Sequence, residues 1–126
     1  MTSFERLSNL TTQKIDGIFV SGDEENGEYK SWWSNGQLFI HSFYKNGKRD
    51  GEYKIWYSNG QLYEHCFYKD GELDGEFKAW HDNGHLRINC FYKNGIHDRE
   101  YKSWCSNGQL FIHCCLNNGK IVKECL

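Results

Sequence analysis

The sequence predicts an all-β fold: an elongated antiparallel meander of stacked β-hairpins, forming one curved and twisted sheet. Three observations carry that expectation. A 24-residue repeat holds its register without a gap, Asn-Gly or Asp-Gly pairs recur at alternating intervals of 11 and 13 residues, and aromatic-rich runs fill the spaces between them. Asn, Asp and Gly tolerate the positive φ of two-residue type I′ hairpin turns. Tyr, Phe, Trp and Ile favour strands. A helix would be broken by a glycine pair about every dozen residues.

The repeat sets the organisation. Copies begin at Gly27 (GEYKSWWSNGQLFIHSFYKNGKRD), Gly51 (GEYKIWYSNGQLYEHCFYKDGELD), Gly75 (GEFKAWHDNGHLRINCFYKNGIHD) and Arg99 (REYKSWCSNGQLFIHCCLNNGKIV). Trp32, Trp56, Trp80 and Trp104 fall in one column, and Leu38, Leu62, Leu86 and Leu110 in another. A degraded half-copy, GIFVSGDEEN, precedes them, and KECL opens a fifth. The expected layout is an N-terminal cap (1–16), a repeat array (17–122, full copies 27–50, 51–74, 75–98 and 99–122) and a C-terminal cap strand (123–126). Stacked repeats bury a continuous face and need capped ends.

A two-residue turn at Asn59-Gly60 would place Tyr57 opposite Leu62, Trp56 opposite Tyr63 and Lys54 opposite His65. A second at Asp70-Gly71 would also set His65 opposite Glu76. Alternation then gives a core face of Tyr53, Ile55, Tyr57, Leu62, Cys66 and Tyr68, interrupted by Glu64. The other face carries Glu52, Lys54, Trp56, Tyr63, His65 and Phe67.

Composition narrows the function classes. At 126 residues, with 17% aromatics and no proline, the chain has one folded domain's worth of material. A net charge of −2 provides no field for nucleic acid, and argues against a membrane surface. The segment MTSFERLSNLTTQ lacks the apolar core of a signal peptide, which predicts a cytoplasmic protein and reduced cysteines. Cys66, Cys90 and Cys114 share a column two strands apart, about 9.6 Å at the usual spacing. That is too far for a disulfide or a shared zinc ion, so buried thiols are expected there. Cys105, Cys115 and Cys125 lie off the column and leave room for redox behaviour.

His41, His65 and His113 form a column with expected partners Glu52, Glu76 and Glu124, and Asn89 takes the third place, facing Glu100. A recurring polar row reads as a cross-strand ladder rather than a catalytic centre, which would be a single constellation. No catalytic, metal-binding or cofactor-binding residue is assigned. The binding candidates are Trp32, Trp56, Trp80 and Trp104, with Tyr63, Arg87 (expected to face Trp80), His41, His65 and His113, because Trp and Arg are enriched in interface hot spots. The competing reading makes the Trp column a partial mini-core.

The units GEYKIWYSNGQL and DGEFKAWHDNGHL, each followed by FYKNG or FYKDG, resemble the MORN repeat, in its variant with a Y/W-x-x-NG-x-L core. The resemblance covers about residues 17–122. It implies an elongated hairpin stack used for protein–protein contact, sometimes in membrane-associated assembly. The same variant occurs in YwqK-like antitoxins and in giant-virus proteins, and the Lys-, Asn- and Ile-rich composition favours the viral branch; if viral, the protein is expected in host cytoplasm or virion. Arg99 and Cys115-Leu116 depart from the pattern, as a terminal copy does. The expected function is thus a non-enzymatic scaffold that binds a protein partner, or itself through a sheet face or terminal strand. The alternatives are an antitoxin-like protein that neutralises a toxin by direct binding, and a membrane-surface scaffold.

Overall fold

The computed structural model describes residues 12–15 and 18–123, with side chains from Val20 to Val122. The expected caps fall partly outside these residues. Among the described residues there is no helix, and thirteen strands form one sheet that does not close. Its path runs β1 (Thr12–Ile15), β2 (Ile18–Ser21), β3 (Gly27–Trp32), β4 (Leu38–Lys45), β6 (Gly51–Trp56), β7 (Leu62–Lys69), β9 (Gly75–Trp80), β10 (Leu86–Lys93), β11 (Ile96–Trp104), β12 (Leu110–Asn117) and β13 (Lys120–Lys123). Two short strands, β5 (Lys48–Arg49) and β8 (Glu72–Leu73), pair only with β4 and β7. The antiparallel meander is the one the repeat predicts.

The Asn-Gly pairs, however, make two kinds of corner. At Asn46-Gly47 and Asp70-Gly71 both residues have positive φ (+53° and +78°, +50° and +85°), as a type I′ turn requires. At Asn59-Gly60 only the glycine does (+90°), and the loop contains three residues: Gly60 N–H donates to Tyr57 C=O, and Tyr57 N–H to Gln61 C=O. Asn35, Asn83 and Asn107 stand at the middle of the same three-residue corner.

This corrects the expected register near these corners. Trp56 pairs with Leu62, not Tyr63, and a bulge then returns the ladder to Ile55 opposite Glu64 and Lys54 opposite His65. The longer loop and the bulge cancel, so the middle of each hairpin keeps its expected pairs. Opposed residues share a face, so Leu62 lies half-buried with Trp56 rather than on the core face. Tyr63 moves the other way and packs edge-on against Tyr57, ring centroids 4.9 Å apart.

A second correction lies at Asp50-Gly51 and Asp74-Gly75. Asp74 N–H donates to Phe67 C=O, and the next pairs are His65 with Lys78 and Glu64 with Ala79. His65 therefore sits two residues past the expected Glu76. A two-residue shift preserves the face, and only the partner changes.

The buried layer is built from small residues. Cys66, Ala79, Cys90, Ser31 and Ser42 are at most 2% exposed, and Tyr53 is 6% exposed. Large rings from neighbouring strands fold over them: Tyr29 on Tyr44, Tyr53 on Tyr68 and Phe77 on Tyr92, each edge-to-face at 5.4–5.9 Å. The Arg49 guanidinium lies over both Tyr53 (4.7 Å) and Tyr68 (5.4 Å). A single sheet thus gains a core by covering small columns with aromatic ones.

Consecutive copies are also tied at their corners. Gly47, Gly71, Gly95 and Gly119 each donate a backbone N–H to a carbonyl in the copy before (2.8–2.9 Å). At the opposite corners Asn35, Asn59 and Asn83 donate side-chain amides to the carbonyls of Ser58, Asp82 and Ser106. The stack is therefore held by the turns as well as by the ladder.

Candidate functional site

Of the two faces, the outer one carries the Trp column. Trp32, Trp56, Trp80 and Trp104 lie opposite Leu38, Leu62, Leu86 and Leu110, and all four indoles are half-buried. They are neither fully presented nor enclosed.

The histidines share this face, each held by a carboxylate of the preceding strand: His41 by Glu28 (2.7 Å), His65 by Glu52 (2.7 Å) and His113 by Glu100 (2.6 Å). Asn89 donates to Glu76 at 3.2 Å. The expected partners Glu52, Glu76 and Glu100 for His41, His65 and Asn89 are thus each displaced by one copy, because the bulges at Asp50-Gly51, Asp74-Gly75 and Asp98-Arg99 shift that pairing. Glu124 lies outside the described residues. Lys30, Lys54, Lys78 and Lys102 approach the same carboxylates at 3.7–3.9 Å. His65 holds the Glu52 carboxyl below its usual range through their hydrogen bond, with Lys54 adding to the effect and desolvation opposing it. The His41 and His65 rings also lean on Phe43 and Phe67 at 5.2 and 5.3 Å. Each imidazole is therefore committed to a local ladder, and no group of three or more His, Cys, Asp or Glu among the described residues could hold a metal ion.

The inner face holds a feature that the expected register obscured. Trp33, Phe39, Ile55, Trp56, Tyr57, Ser58 and Tyr63 line an open apolar cleft of about 430 Å³ at the corner of the first two copies. Trp33 stacks on Phe39 with centroids 4.1 Å apart. Two polar groups of the walls are already used: Trp33 Nε1–H donates to Trp56 C=O (3.1 Å), and Tyr57 O–H to Trp80 C=O (2.7 Å). His81 Nε2 makes the same bond to Trp104 C=O (2.9 Å). The column Trp33, Tyr57, His81 thus supplies a side-chain donor after each of the first three column tryptophans, a signal present in the sequence but masked by the Trp column beside it. Arg87 lies over the Tyr63 ring (5.6 Å) rather than facing Trp80, since Trp80 pairs with Leu86.

The cysteine column behaves as expected, with Cys66 and Cys90 buried and Cys114 half-buried, all free. Burial pushes the Cys66 and Cys90 thiols up to about 12, Glu64 adding to the effect at Cys66. Cys105 is free and exposed. Cys115 is disulfide-bonded, which departs from an all-thiol chain, and Cys125 lies outside the described residues.

No curated protein matches the chain. The family model for the MORN repeat variant matches three consecutive segments, residues 25–46, 49–70 and 73–94. The fourth copy lies beyond the matched segments but forms the same β11–β12 hairpin. Repeats of this kind are non-catalytic and commonly contact proteins or membranes, which fits a scaffold in general. With the matched segments covering just over half of the sequence, the chain belongs to the MORN repeat variant family.

Proposed function

We propose that the protein is a non-enzymatic scaffold that holds a protein partner on its aromatic sheet surfaces. The observation that carries this reading is the cleft between Trp33, Phe39, Tyr57 and Tyr63. Trp33 and Tyr57 spend their donors on the scaffold, so the cleft offers chiefly ring surface, suited to an apolar anchor side chain that loses its water on docking. Trp56 joins the cleft to the outer row of Trp32, Trp80 and Trp104, where His41, His65 and His113 supply a polar rim. Arg87 adds a cation at the cleft's edge.

The test is recovery of a crosslinked partner from the native source, comparing wild type with a Trp33→Ala/Tyr63→Ala variant of unchanged circular dichroism. A partner captured by wild type and lost from the variant supports the reading. Equal capture by both would overturn it. In an antitoxin-like form, the partner is a toxin held at fixed stoichiometry, which light scattering of the purified complex would reveal. The membrane form is disfavoured by the Glu beside every Lys of the outer row. Salt-sensitive sedimentation with anionic vesicles would restore it.

A further inference from the structure

We propose that the inner face of the first three copies holds a partner segment in the polyproline II conformation. An apolar side chain of that segment enters the cleft of Trp33, Phe39, Tyr57 and Tyr63, and a carboxylate three residues along reaches the Arg87 guanidinium. The site is the cleft of the functional reading above, and the assignment of its ligand rests on that reading.

The two columns that build the cleft continue beyond it. Trp33, Tyr57 and His81 occupy one, and Phe39, Tyr63 and Arg87 the other. The first two copies supply ring pairs that wall the cleft, Trp33 with Phe39 (4.1 Å) and Tyr57 with Tyr63 (4.9 Å). In the third copy a ring gives way to a cation, and Arg87 Cζ lies 5.6 Å over the Tyr63 ring. Apolar seat and charge thus stand side by side, with Tyr63 between them.

That charge is not spent on the scaffold. Each lysine of the outer row has a glutamate within 3.9 Å, whereas Arg87 makes no ion pair among the described residues. Glu64 feels the guanidinium, but its Oε2 accepts from Cys66 Sγ–H at 3.9 Å. At the cleft wall burial raises the Tyr57 phenol, and Arg87 opposes that shift more strongly than Asp82 adds to it. The positive field therefore extends to the cleft, where it attracts a carboxylate and repels an ammonium.

Spacing selects the conformation of the ligand. Equivalent strands of successive copies lie two inter-strand steps apart, about 9.6 Å. Three residues of polyproline II rise about 9.3 Å and complete one turn, so residues i and i+3 face the same side. An extended β-segment presents same-side residues about 6.7 Å or about 13 Å apart, and neither matches. Aromatic-lined grooves suit polyproline II segments for a further reason, since such segments lose little entropy on docking.

The test follows the fluorescence anisotropy of a labelled peptide, PPLPPEPP, titrated with the full chain. Two controls of the same length are PPLPPQPP, which lacks the charge, and PPLPEPPP, which moves it one residue closer to the leucine. The first peptide should bind about fivefold tighter than either control. Arg87→Gln, with unchanged circular dichroism, should bring it down to the level of PPLPPQPP, and Arg87→Lys should keep part of the preference. Glu64→Gln, which removes a competing carboxylate, should widen the preference. Equal binding of the three peptides, or a preference that survives Arg87→Gln, would overturn the proposal. If Trp33→Ala/Tyr63→Ala abolishes that equal binding, the cleft reading stands without the carboxylate. Failure of all three peptides to bind overturns the proposal as well, while capture of the crosslinked partner still decides the cleft reading.

Discussion

The phenol of Tyr57 donates a 2.7 Å hydrogen bond to the main-chain carbonyl of Trp80, one copy further along the chain. This bond couples two hairpins through a side chain rather than the ladder. Removing it leaves a partly buried carbonyl short of a partner, so Tyr57→Phe should lower stability by about 1 kcal/mol while keeping the ring contact with Tyr63. Urea unfolding followed by tryptophan fluorescence measures it. An unchanged midpoint would mean that water replaces the phenol at no cost.

Arg99 stands at φ +66° where the earlier copies place Gly27, Gly51 and Gly75 at +95°, +111° and +113°. A side chain in the left-handed region costs about 1–2 kcal/mol. The guanidinium recovers part of this by lying 5.2 Å over Phe91, a contact typically worth about 0.5–1 kcal/mol at an exposed site. The backbone term is larger, so Arg99→Gly should raise the melting temperature modestly. In the reverse direction, Gly75→Ala should lower stability by about 1 kcal/mol, because its added Cβ meets Phe67 at an ordinary 3.7 Å and the cost is conformational. Paired thermal melts of both variants check the sign.

Much of this molecule was legible in the sequence, for a specific reason. The repeat and its Asn-Gly corners define the meander, and Tyr53 opposite Cys66 and Lys54 opposite His65 emerge as the turns predict. They do so because the three-residue loop at Ser58-Asn59-Gly60 and the bulge before Glu64 offset each other. Asn59 and Asn46 look alike in the sequence, yet Asn59 Oδ1 accepts from Gln61 N–H while its amide reaches Asp82 of the next copy. Asn107 Oδ1 accepts from Gln109 N–H in the same corner of the last copy, so the choice is made within the loop and the reach to the next copy follows from it. The cleft at Trp33 and Tyr63 was hidden by the same corner, since the unforeseen bulge is what turns Tyr63 to the inner face.

The thiols should separate cleanly by reactivity. Cys66 and Cys90 are at most 1% exposed and have thiols raised by burial, so little thiolate is available to attack a reagent. Cys105 is exposed and free. Native protein treated with a disulfide reagent at pH 8 should therefore modify Cys105 first, with Cys66 and Cys90 reacting only on unfolding. Peptide mapping after a timed quench identifies each site, and early labelling of Cys66 would show that the small-residue core opens locally.

Glu64 occupies a column that reads Ile40, Ile88 and Ile112 in the other copies. Burial pushes its carboxyl above the usual range, with Arg87 opposing the shift. A carboxylate whose folded pKa is raised favours the folded state when protonated, so its penalty develops as pH rises through the folded value and is present at neutral pH. Glu64→Ile should therefore stabilise the protein at pH 7 by about 0.5–2 kcal/mol, the range for a substitution toward the repeat consensus. Glu64→Gln isolates the charge from the apolar gain. Its advantage over wild type should shrink as pH falls through the raised folded value and be lost below about 4.3, where the unfolded carboxyl also takes up its proton. Denaturation curves for the three proteins at pH 7 and pH 3 decide the matter. A Glu64→Gln variant less stable than wild type at pH 7 would show that attraction to Arg87 outweighs the burial of the charge.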